Sequence, residues 1–426
     1  MNIKVKIRLS SIITVSLLIA AGSIHSGKKL LYKDASYEEE IRTVRLYPGQ
    51  PNSIDVFEPP VVRVGSSNLT LEFDDLVAAH EEYRVKLIHC NHDWKPSGLN
   101  TLDFLNDFNE FVITNYEYST DTKIGYIHYT FRVPPVKATG NYLLVAYRGT
   151  NEKDNVLTKR LKVFQQHVGI ELLSGTSGLT SMRRRNQQID FKINYESVEL
   201  VNPLDRIHVV MRQNQQDFNA ITDLNPSNFR EGMLEYRFFN FENNFSAGNE
   251  YRFFDMRSLR YPGQNVAKVD LLKRPSEAYL MNEAPRIYQA YAQYNDINGD
   301  FFIQNQDTGG SSESDYLYTT FSLVMKEPIG GAIHVVGRMN NFDLNETSKM
   351  EYNTRSKTYT NTQLLKQGFY NYQYIVKSDT LNYHYLEGNH FDTENDYEIF
   401  VYYTPPNVRG DQLIGYQQVT LNARPD

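Results

Sequence analysis

The sequence predicts an all-β protein built from tandem β-sandwich domains. Its 426 residues include 31 Tyr and 23 Phe but only nine Met and one Trp, and aromatic residues favour the half-buried surface of a pleated sheet. Short alternating or aromatic-rich runs recur between clusters of turn residues, as expected of β-sandwiches. Because the chain is longer than one core usually fills, we expect several domains.

The predicted strands are the runs that combine aromatic or β-branched residues with alternation. They are Val85–Cys90, Tyr142–Arg148, Ile207–Arg212, Leu234–Phe239, Tyr251–Met256, Leu317–Met325, Ile333–Gly337, Tyr370–Val376 and Glu398–Tyr403. Prolines such as Pro48 and Pro59 stand between strand-like runs, where a missing amide donor interrupts no ladder. No long amphipathic helix is predicted.

A β-hairpin is predicted around Asn298 and Gly299. The flanking runs Ile287–Tyr294 and Phe301–Gln304 are both strand-like. An Asn-Gly pair accepts the positive φ angles that a tight hairpin turn requires.

The first 22 residues are predicted to be an export signal peptide. Lys4, Lys6 and Arg8 precede the apolar stretch Ile12–Ala21, and small residues suit a cut before Ser23. The apolar stretch has about half of the ~20 residues that a membrane-spanning helix needs. We therefore expect an exported protein without a membrane anchor.

Cysteine content and charge exclude several classes of protein. Cys90 is the only cysteine and lies far from the predicted cut, so we expect neither an internal disulfide nor a lipoprotein. The chain has 44 Lys and Arg against 51 Asp and Glu, a net charge of −7. That balance argues against general nucleic-acid binding.

Two stretches have the composition of linkers. Leu173–Arg185 is rich in Ser, Gly, Thr and Arg, and Asp307–Asp315 is a Gly, Ser and acidic tract. The predicted organisation is a signal peptide at 1–22, an amino-terminal β-sandwich at 23–167, a middle β domain at 168–306 and a carboxy-terminal β-sandwich at 307–426. The first join could lie one strand earlier or later.

The densest group of reactive side chains is His89-Cys90-Asn91-His92-Asp93-Trp94. Neighbouring strand residues point to opposite faces, and zinc needs three or four convergent ligands. We therefore predict no metal, no cofactor and no catalytic residue, and interpret the segment as a strand end, a turn and a packed Trp94. An enzyme built on this segment is one alternative, although the common hydrolase, zinc-protease and phosphate-loop motifs are not found.

The last third of the chain resembles the immunoglobulin-like fold of glycogen-binding modules. The resemblance is carried by VVGRMNNF at 335–342 and by LLKQGFYNYQY at 364–374. In those modules an exposed aromatic ring, usually Trp, stacks on sugar rings. Here Phe342 stands close to that place, and the module contains no Trp. The resemblance implies an immunoglobulin-like fold, with glycan binding by this module as an alternative function.

Longer strings in a consistent order carry a second resemblance. They are IRTVRLYP at 41–48, LTLEFDDL at 69–76, LIHCNHDWKPS at 87–97, GNYLL at 140–144, GNEYRFFD at 248–255, RSLRY at 257–261 and LEGNHFDTENDY at 386–397. From about Ile41 to its end the chain is similar to the plug proteins of the type IX secretion system. The resemblance implies a non-catalytic periplasmic protein that binds a giant outer-membrane β-barrel translocon and closes its periplasmic side.

Two segments of the first domain, His92–Lys95 and Asn106–Glu110, are the predicted places of partner contact if they are exposed, and burial in the core of that domain is the alternative. The predicted partner-contact residues are His92, Asp93, Trp94, Lys95, Phe108 and Asn109.

Overall fold

The computed structural model describes residues 28–51, 53–77, 79–173 and 182–423, and its predominance of strands confirms the predicted all-β class. The predicted signal peptide lies outside these residues. The helical elements described are short: α1 (Thr101–Phe104), α2 (Pro203–Arg206) and 3-10 turns at Ile54–Phe57, Ser311–Glu313 and Arg338–Asn340. Within the described ranges, no helix is long and apolar enough to cross a membrane.

The first module is a two-sheet sandwich. Its strands are β1 (Ala35–Ser36), β2 (Ile41–Pro48), β3 (Val61–Arg63), β4 (Leu69–Asp75), β5 (Tyr83–Cys90), β6 (Phe111–Val112), β7 (Asn115–Tyr118), β8 (Ile127–Arg132), β9 (Gly140–Arg148) and β10 (Asn155–Phe164). One sheet has the order β1-β10-β9-β5-β6, with β3 beside β10, and the other has the order β2-β4-β8-β7. Alternate residues such as Phe73, Tyr83 and Tyr129 fill the space between the sheets.

The chain then forms the remaining strands, which belong to two further modules. They are β11 (Gly169–Leu173), β12 (Asn186–Gln188), β13 (Asp190–Asn194), β14 (Ile207–Gln213), β15 (Asn228–Arg230), β16 (Met233–Tyr236), β17 (Asn244–Ser246), β18 (Arg252–Asp255), β19 (Val266–Asp270), β20 (Ser276–Leu280), β21 (Phe301–Ile303), β22 (Tyr316–Val324), β23 (Ala332–Val336), β24 (Glu351–Asn353), β25 (Thr358–Lys366), β26 (Gly368–Lys377), β27 (Asn395–Tyr403) and β28 (Gln412–Leu421).

Sheet pairing defines the two further modules. The third module contains β18 to β26: a sheet of order β19-β20-β22-β25-β24 and a second sheet in which β26 pairs with β18, β21 and β23. The middle module contains β11 to β17 together with β27 and β28, because β14 pairs with β27. Tyr397 and Val401 of β27 accordingly pack in one core with Val209 and Met211 of β14.

The sheets therefore do not divide at residue 307, where the sequence predicted a boundary. Strands β18 to β21 precede that point and pair within the third module, whereas β27 and β28 follow it and complete the middle module. The third module is thus inserted between β17 and β27. The reason is that sheet pairing follows edge and face complementarity rather than the composition of the connecting loop.

The predicted hairpin at Asn298 and Gly299 is wrong. Both residues have positive φ, 48° and 82°, as a turn requires, but residues 287–294 form no strand and β21 pairs with β26 instead. Side chains hold the preceding segment: Arg286 Nε donates to Glu387 over 2.8 Å, and the Tyr294 hydroxyl donates to the Tyr251 carbonyl over 2.8 Å. These bonds replace the ladder that the sequence pattern suggested.

The first module contacts the third through a buried polar cluster on β4. Asp74 Oδ2 lies 2.6 Å from Lys366 Nζ of β25 and accepts the Tyr316 hydroxyl over 2.6 Å. Its other oxygen lies 2.7 Å from His128 Nδ1. We call Asp74, His128, Tyr316 and Lys366 the Asp74 cluster.

Charge in the Asp74 cluster is stabilised by these partners. Burial opposes ionisation of Asp74, but Lys366 and the bond from His128 lower the pKa of the carboxyl to about 2. Burial likewise opposes protonation of His128, but hydrogen bonds to Asp74 and Glu72 raise the pKa of the imidazole to about 9. At neutral pH the first module therefore presents an ionised Asp74 carboxylate to Lys366 and Tyr316 of the third module.

Candidate interaction surface

The turn that follows β5 carries four of the six predicted contact residues. The Trp94 amide donates to the Asn91 carbonyl, and the Asn91 amide donates to the Lys95 carbonyl, each over 2.9 Å. Trp94 takes a left-handed φ of 63° to close this turn. Asp93 pairs with Lys95 over 2.7 Å at the surface. The positions of Asp93 and Lys95 are therefore explained by the turn, across which their side chains pair.

His92 attaches the first module to the middle module. Its backbone amide and its Nδ1 both contact Asp411 Oδ2, over 2.9 Å and 2.6 Å. Its ring stacks on His208 of β14, with centroids 3.9 Å apart and planes 6° apart. Although burial opposes ionisation, hydrogen bonds from His92 and Thr404 lower the pKa of Asp411 to about 2. His92 is thus engaged within the chain.

Trp94 is also engaged within the chain. The Arg160 guanidinium lies 4.1 Å from the centre of its ring, and Lys162 Nζ lies 5.3 Å away. The other contacts of the ring are with an apolar cluster that includes Cys90 and Leu143. The half-buried indole therefore covers the outer face of the first module rather than facing a partner.

The later part of the connection between β5 and β6, residues 101–110, makes fewer contacts with the other modules than the turn does and contains the remaining two predicted contact residues. Phe104, the last residue of α1, and Leu105, which follows it, are buried. Farther along, Asn109 Oδ1 accepts the Leu87 amide over 2.8 Å, and its Nδ2 donates to the Leu87 carbonyl over 2.7 Å. Asn109 thus imitates a neighbouring strand at the edge of β5. The loop is fixed on both sides of Phe108.

Phe108 itself is 92% exposed. Leu102 and Val112, in the same loop and strand end, are 73% and 44% exposed. Single exposed apolar residues are ordinary, whereas these three lie within residues 102–112 and together are a candidate interaction surface. We call Leu102, Phe108 and Val112 the Phe108 surface. Sequence reasoning missed Leu102 and Val112, although apolar residues within a polar loop were the available signal.

The structure separates the six predicted contact residues into four groups. His92 and Trp94 contact the rest of the chain, and Asn109 supports the loop. Asp93 and Lys95 pair with each other at the surface. Phe108 is therefore the predicted residue with the largest area free for a partner.

The reactive groups at the end of β5 are buried and internally bonded. His89 Nδ1 lies 2.8 Å from Ser97 Oγ, and Nε2 lies 3.0 Å from the Thr139 carbonyl. Burial lowers the pKa of His89 and raises the pKa of the Cys90 thiol to about 12, so the thiol stays protonated near neutral pH. In the described part of the chain, no three His, Cys, Asp or Glu side chains are placed to hold a metal ion.

Comparison with known proteins identifies the first module. Residues 41–165 match the family model described as "Type 9 secretion system plug protein 1st domain", and this range holds the Phe108 surface. No curated protein matches the chain.

Solved structures extend the comparison beyond the first module. A hypothetical protein from Parabacteroides merdae ATCC 43184 is 29% identical, with a TM-score of 0.85, over 92% of this chain and 100% of that chain. Escherichia coli alpha-2-macroglobulin activated by porcine elastase is 9% identical over 89% of this chain and 30% of that chain, and its TM-score of 0.17 supports no argument. The family-model match covers the first module, which is therefore similar to the first domain of type 9 secretion system plug proteins.

Proposed function

We propose that this protein is a non-catalytic periplasmic plug that binds the outer-membrane translocon barrel of the type 9 system and closes its periplasmic side. The observation that carries the proposal is the display of Phe108 on a fixed loop inside the domain that matches the plug family. An aromatic side chain that is already ordered loses little conformational entropy on binding. Aromatic residues of this kind often dominate the energy of an interface.

Contacts between the modules support a stopper that moves as one body. The Asp74 cluster joins the first module to the third. The Tyr402 hydroxyl donates to Asn141 Oδ1 over 2.7 Å, and the Gly98 amide donates to the Arg409 carbonyl over 2.7 Å, which joins the first module to the middle one. Buried polar contacts of this kind fix the relative orientation of modules because their geometry is directional.

The test is recovery of the barrel from the native cell envelope with tagged protein in mild detergent, read by mass spectrometry. We expect one very large outer-membrane barrel in near-stoichiometric amount. Phe108→Ala should reduce its recovery strongly, since truncating a central aromatic residue typically costs at least about 2 kcal/mol, or roughly 30-fold.

Phe239→Ala is the matched control, because Phe239 is 85% exposed on the middle module. We expect it to recover the barrel as the unmodified protein does. Absence of the barrel from the unmodified sample, with the barrel intact in the envelope, would refute the proposal. Equal losses from the two variants would refute the role of the Phe108 surface.

The alternative of glycan binding through the third module is not supported at the position where the resemblance places the sugar-stacking ring. Phe342, which stands near the place of the sugar-stacking ring, is 3% exposed and packs with Tyr251, Val336 and Ile375. A buried ring cannot stack on a pyranose. The structure therefore favours the plug over this alternative.

A further inference from the structure

The turn between β19 and β20 of the third module exposes two leucines followed by two cations. Leu271 is 43% exposed and Leu272 is 96% exposed. Lys273 and Arg274, the next two residues, are exposed as well. Such a sequence of side chains at the tip of a hairpin is unfavourable in water unless something covers the leucines.

The turn is ordered by contacts at its base. The Leu272 amide donates to Asp270 Oδ1 over 3.2 Å. Lys123 of the first module donates to the Leu271 carbonyl and, over 2.8 Å, to Ser276 Oγ. Leu272 therefore projects from a fixed backbone, as Phe108 does on its own loop.

The charge around this turn has the opposite sign to that of the whole chain. The cations are Lys123, Lys268, Lys273 and Arg274, and the neighbouring carboxylates are Asp270, Glu277 and Asp315, which accepts the Lys123 amide over 3.2 Å. Asp270 pairs with Lys268 over 3.0 Å, and Glu277 lies 3.9 Å from Lys273. The patch is thus positive although the chain carries a net charge of −7. Anionic partners are favoured there by charge complementarity.

The exposed Leu272 side chain beside Lys273 and Arg274 is complementary to a phospholipid bilayer, in which phosphate groups lie above hydrocarbon chains. Soluble anions would satisfy the cations but would leave Leu272 in water. At an anionic bilayer, Lys273 and Arg274 reach the headgroups while Leu272 enters the acyl boundary. We propose that this turn docks on an anionic phospholipid surface and so orients the protein beside the membrane.

Both this inference and the proposed plug function place the protein beside the membrane. The test of this inference does not involve the translocon barrel, so either proposal can fail without the other. The full mature chain is sedimented with vesicles of phosphatidylcholine alone and with vesicles that also contain phosphatidylglycerol. Each Lys or Arg near an anionic surface contributes about 1 kcal/mol, or roughly fivefold. We expect partitioning onto the anionic vesicles to exceed that onto the neutral ones by at least about tenfold, and to decrease with added salt.

Two variants examine the turn itself. Lys273→Glu with Arg274→Glu should abolish the preference for anionic vesicles. Leu272→Ser should weaken binding by about tenfold, because the apolar contact is lost. All of these residues are exposed, so the fold should be retained.

Matched controls use a turn of the same module that has cations but no exposed leucine. Arg355→Glu with Lys357→Glu reverses two exposed charges there, and Phe239→Ser removes an exposed apolar residue elsewhere. Both should bind vesicles as the unmodified protein does. Equal binding to the two vesicle types, or equal losses from the control and the Lys273 and Arg274 variants, would overturn the proposal.

Discussion

Lys162 places an ammonium group in the joint between the first and middle modules. The residue is 3% exposed, and its Nζ lies 4.6 Å from the ring centre of Phe400. Around it, Arg160 and Arg212 pair with Asp217, and Arg212 also pairs with Glu398. Those two cations and two carboxylates already balance, so Lys162 adds a charge that burial disfavours. Burial accordingly lowers the pKa of Lys162 to about 7.

We expect Lys162→Met to stabilise the protein at pH 7 and below. Replacing a buried charge with an apolar side chain of similar size often raises the free energy of unfolding by about 1–4 kcal/mol. Between about pH 7 and the ordinary lysine pKa near 10.5, the unfolded chain binds a proton that the folded chain does not, so the stability of the unmodified protein rises with pH. The advantage of the variant should therefore shrink across that window.

Urea unfolding at several pH values measures this effect. Lys357→Met, at an exposed turn, is the control and should change the free energy of unfolding by less than about 0.5 kcal/mol. A Lys162→Met variant less stable than the unmodified protein at pH 7 would contradict the interpretation of Lys162 as a destabilising charge.

We expect the free energy of unfolding to decrease at alkaline pH as His128 loses its proton. Its folded pKa of about 9 lies above the ordinary value of 6.5, so its contribution is complete below about pH 6.5 and is lost as the pH rises through about 9. We expect His128→Gln to be less stable near neutral pH and to lose less stability than the unmodified protein on going from pH 6 to pH 9.5. Thermal unfolding across this range tests it, and parallel curves for the two proteins would exclude the assignment.

At the scale of elements, the loop that carries Phe108 depends on Asn109. The two hydrogen bonds of Asn109 to Leu87 substitute for strand pairing at the edge of β5. We expect Asn109→Ala to cost about 1–2 kcal/mol, since each such bond contributes about 0.5–1.5 kcal/mol. Hydrogen exchange of the Leu87 amide should accelerate, while exchange in β9 stays unchanged.

Recovery of the barrel gives a second measurement on the same variant. If a fixed loop is what makes Phe108 effective, Asn109→Ala should lower recovery although Phe108 is still present. Asn106→Ala, at an exposed position of the same loop, is the control. Faster exchange at Leu87 with undiminished recovery would show that loop order is dispensable for binding.

At the scale of the whole molecule, the Asp74 cluster determines whether the first and third modules hold together. Asp74→Asn would leave Lys366 buried without a carboxylate, and removing one partner of a buried pair typically costs about 3–5 kcal/mol. The folded pKa of Asp74, about 2, lies below the ordinary 3.8. Its contribution is thus present above about pH 3.8 and is lost as the pH falls through about 2.

Chemical unfolding of Asp74→Asn at neutral pH checks this prediction, with Asp107→Asn at an exposed position as the control. Limited proteolysis should also cut between the modules sooner in the Asp74 variant. A loss below about 1 kcal/mol would mean that the cluster contributes little to the joint.

Each of the nine predicted strand runs overlaps a strand, although the described residues contain 28 strands. Val85–Cys90 lies within β5 and Ile207–Arg212 within β14, because alternation and aromatic content specify an extended chain and its buried face. Local pattern also favoured the turn at Asn298 and Gly299. Local pattern did not predict which strands pair with each other, as the wrong hairpin shows. Pairing depends on which strand edges are free elsewhere in the fold.

The sequence by itself determined the all-β class, the run of strands and the resemblance to the plug family, because these follow from side-chain periodicity and from strings of neighbouring residues. Only the tertiary structure decided that β27 returns to β14 across almost two hundred residues, and that His92 and Trp94 contact the chain while Phe108 faces solvent. Contacts between distant residues and the exposure of a side chain are properties of the packed modules, which no local pattern encodes.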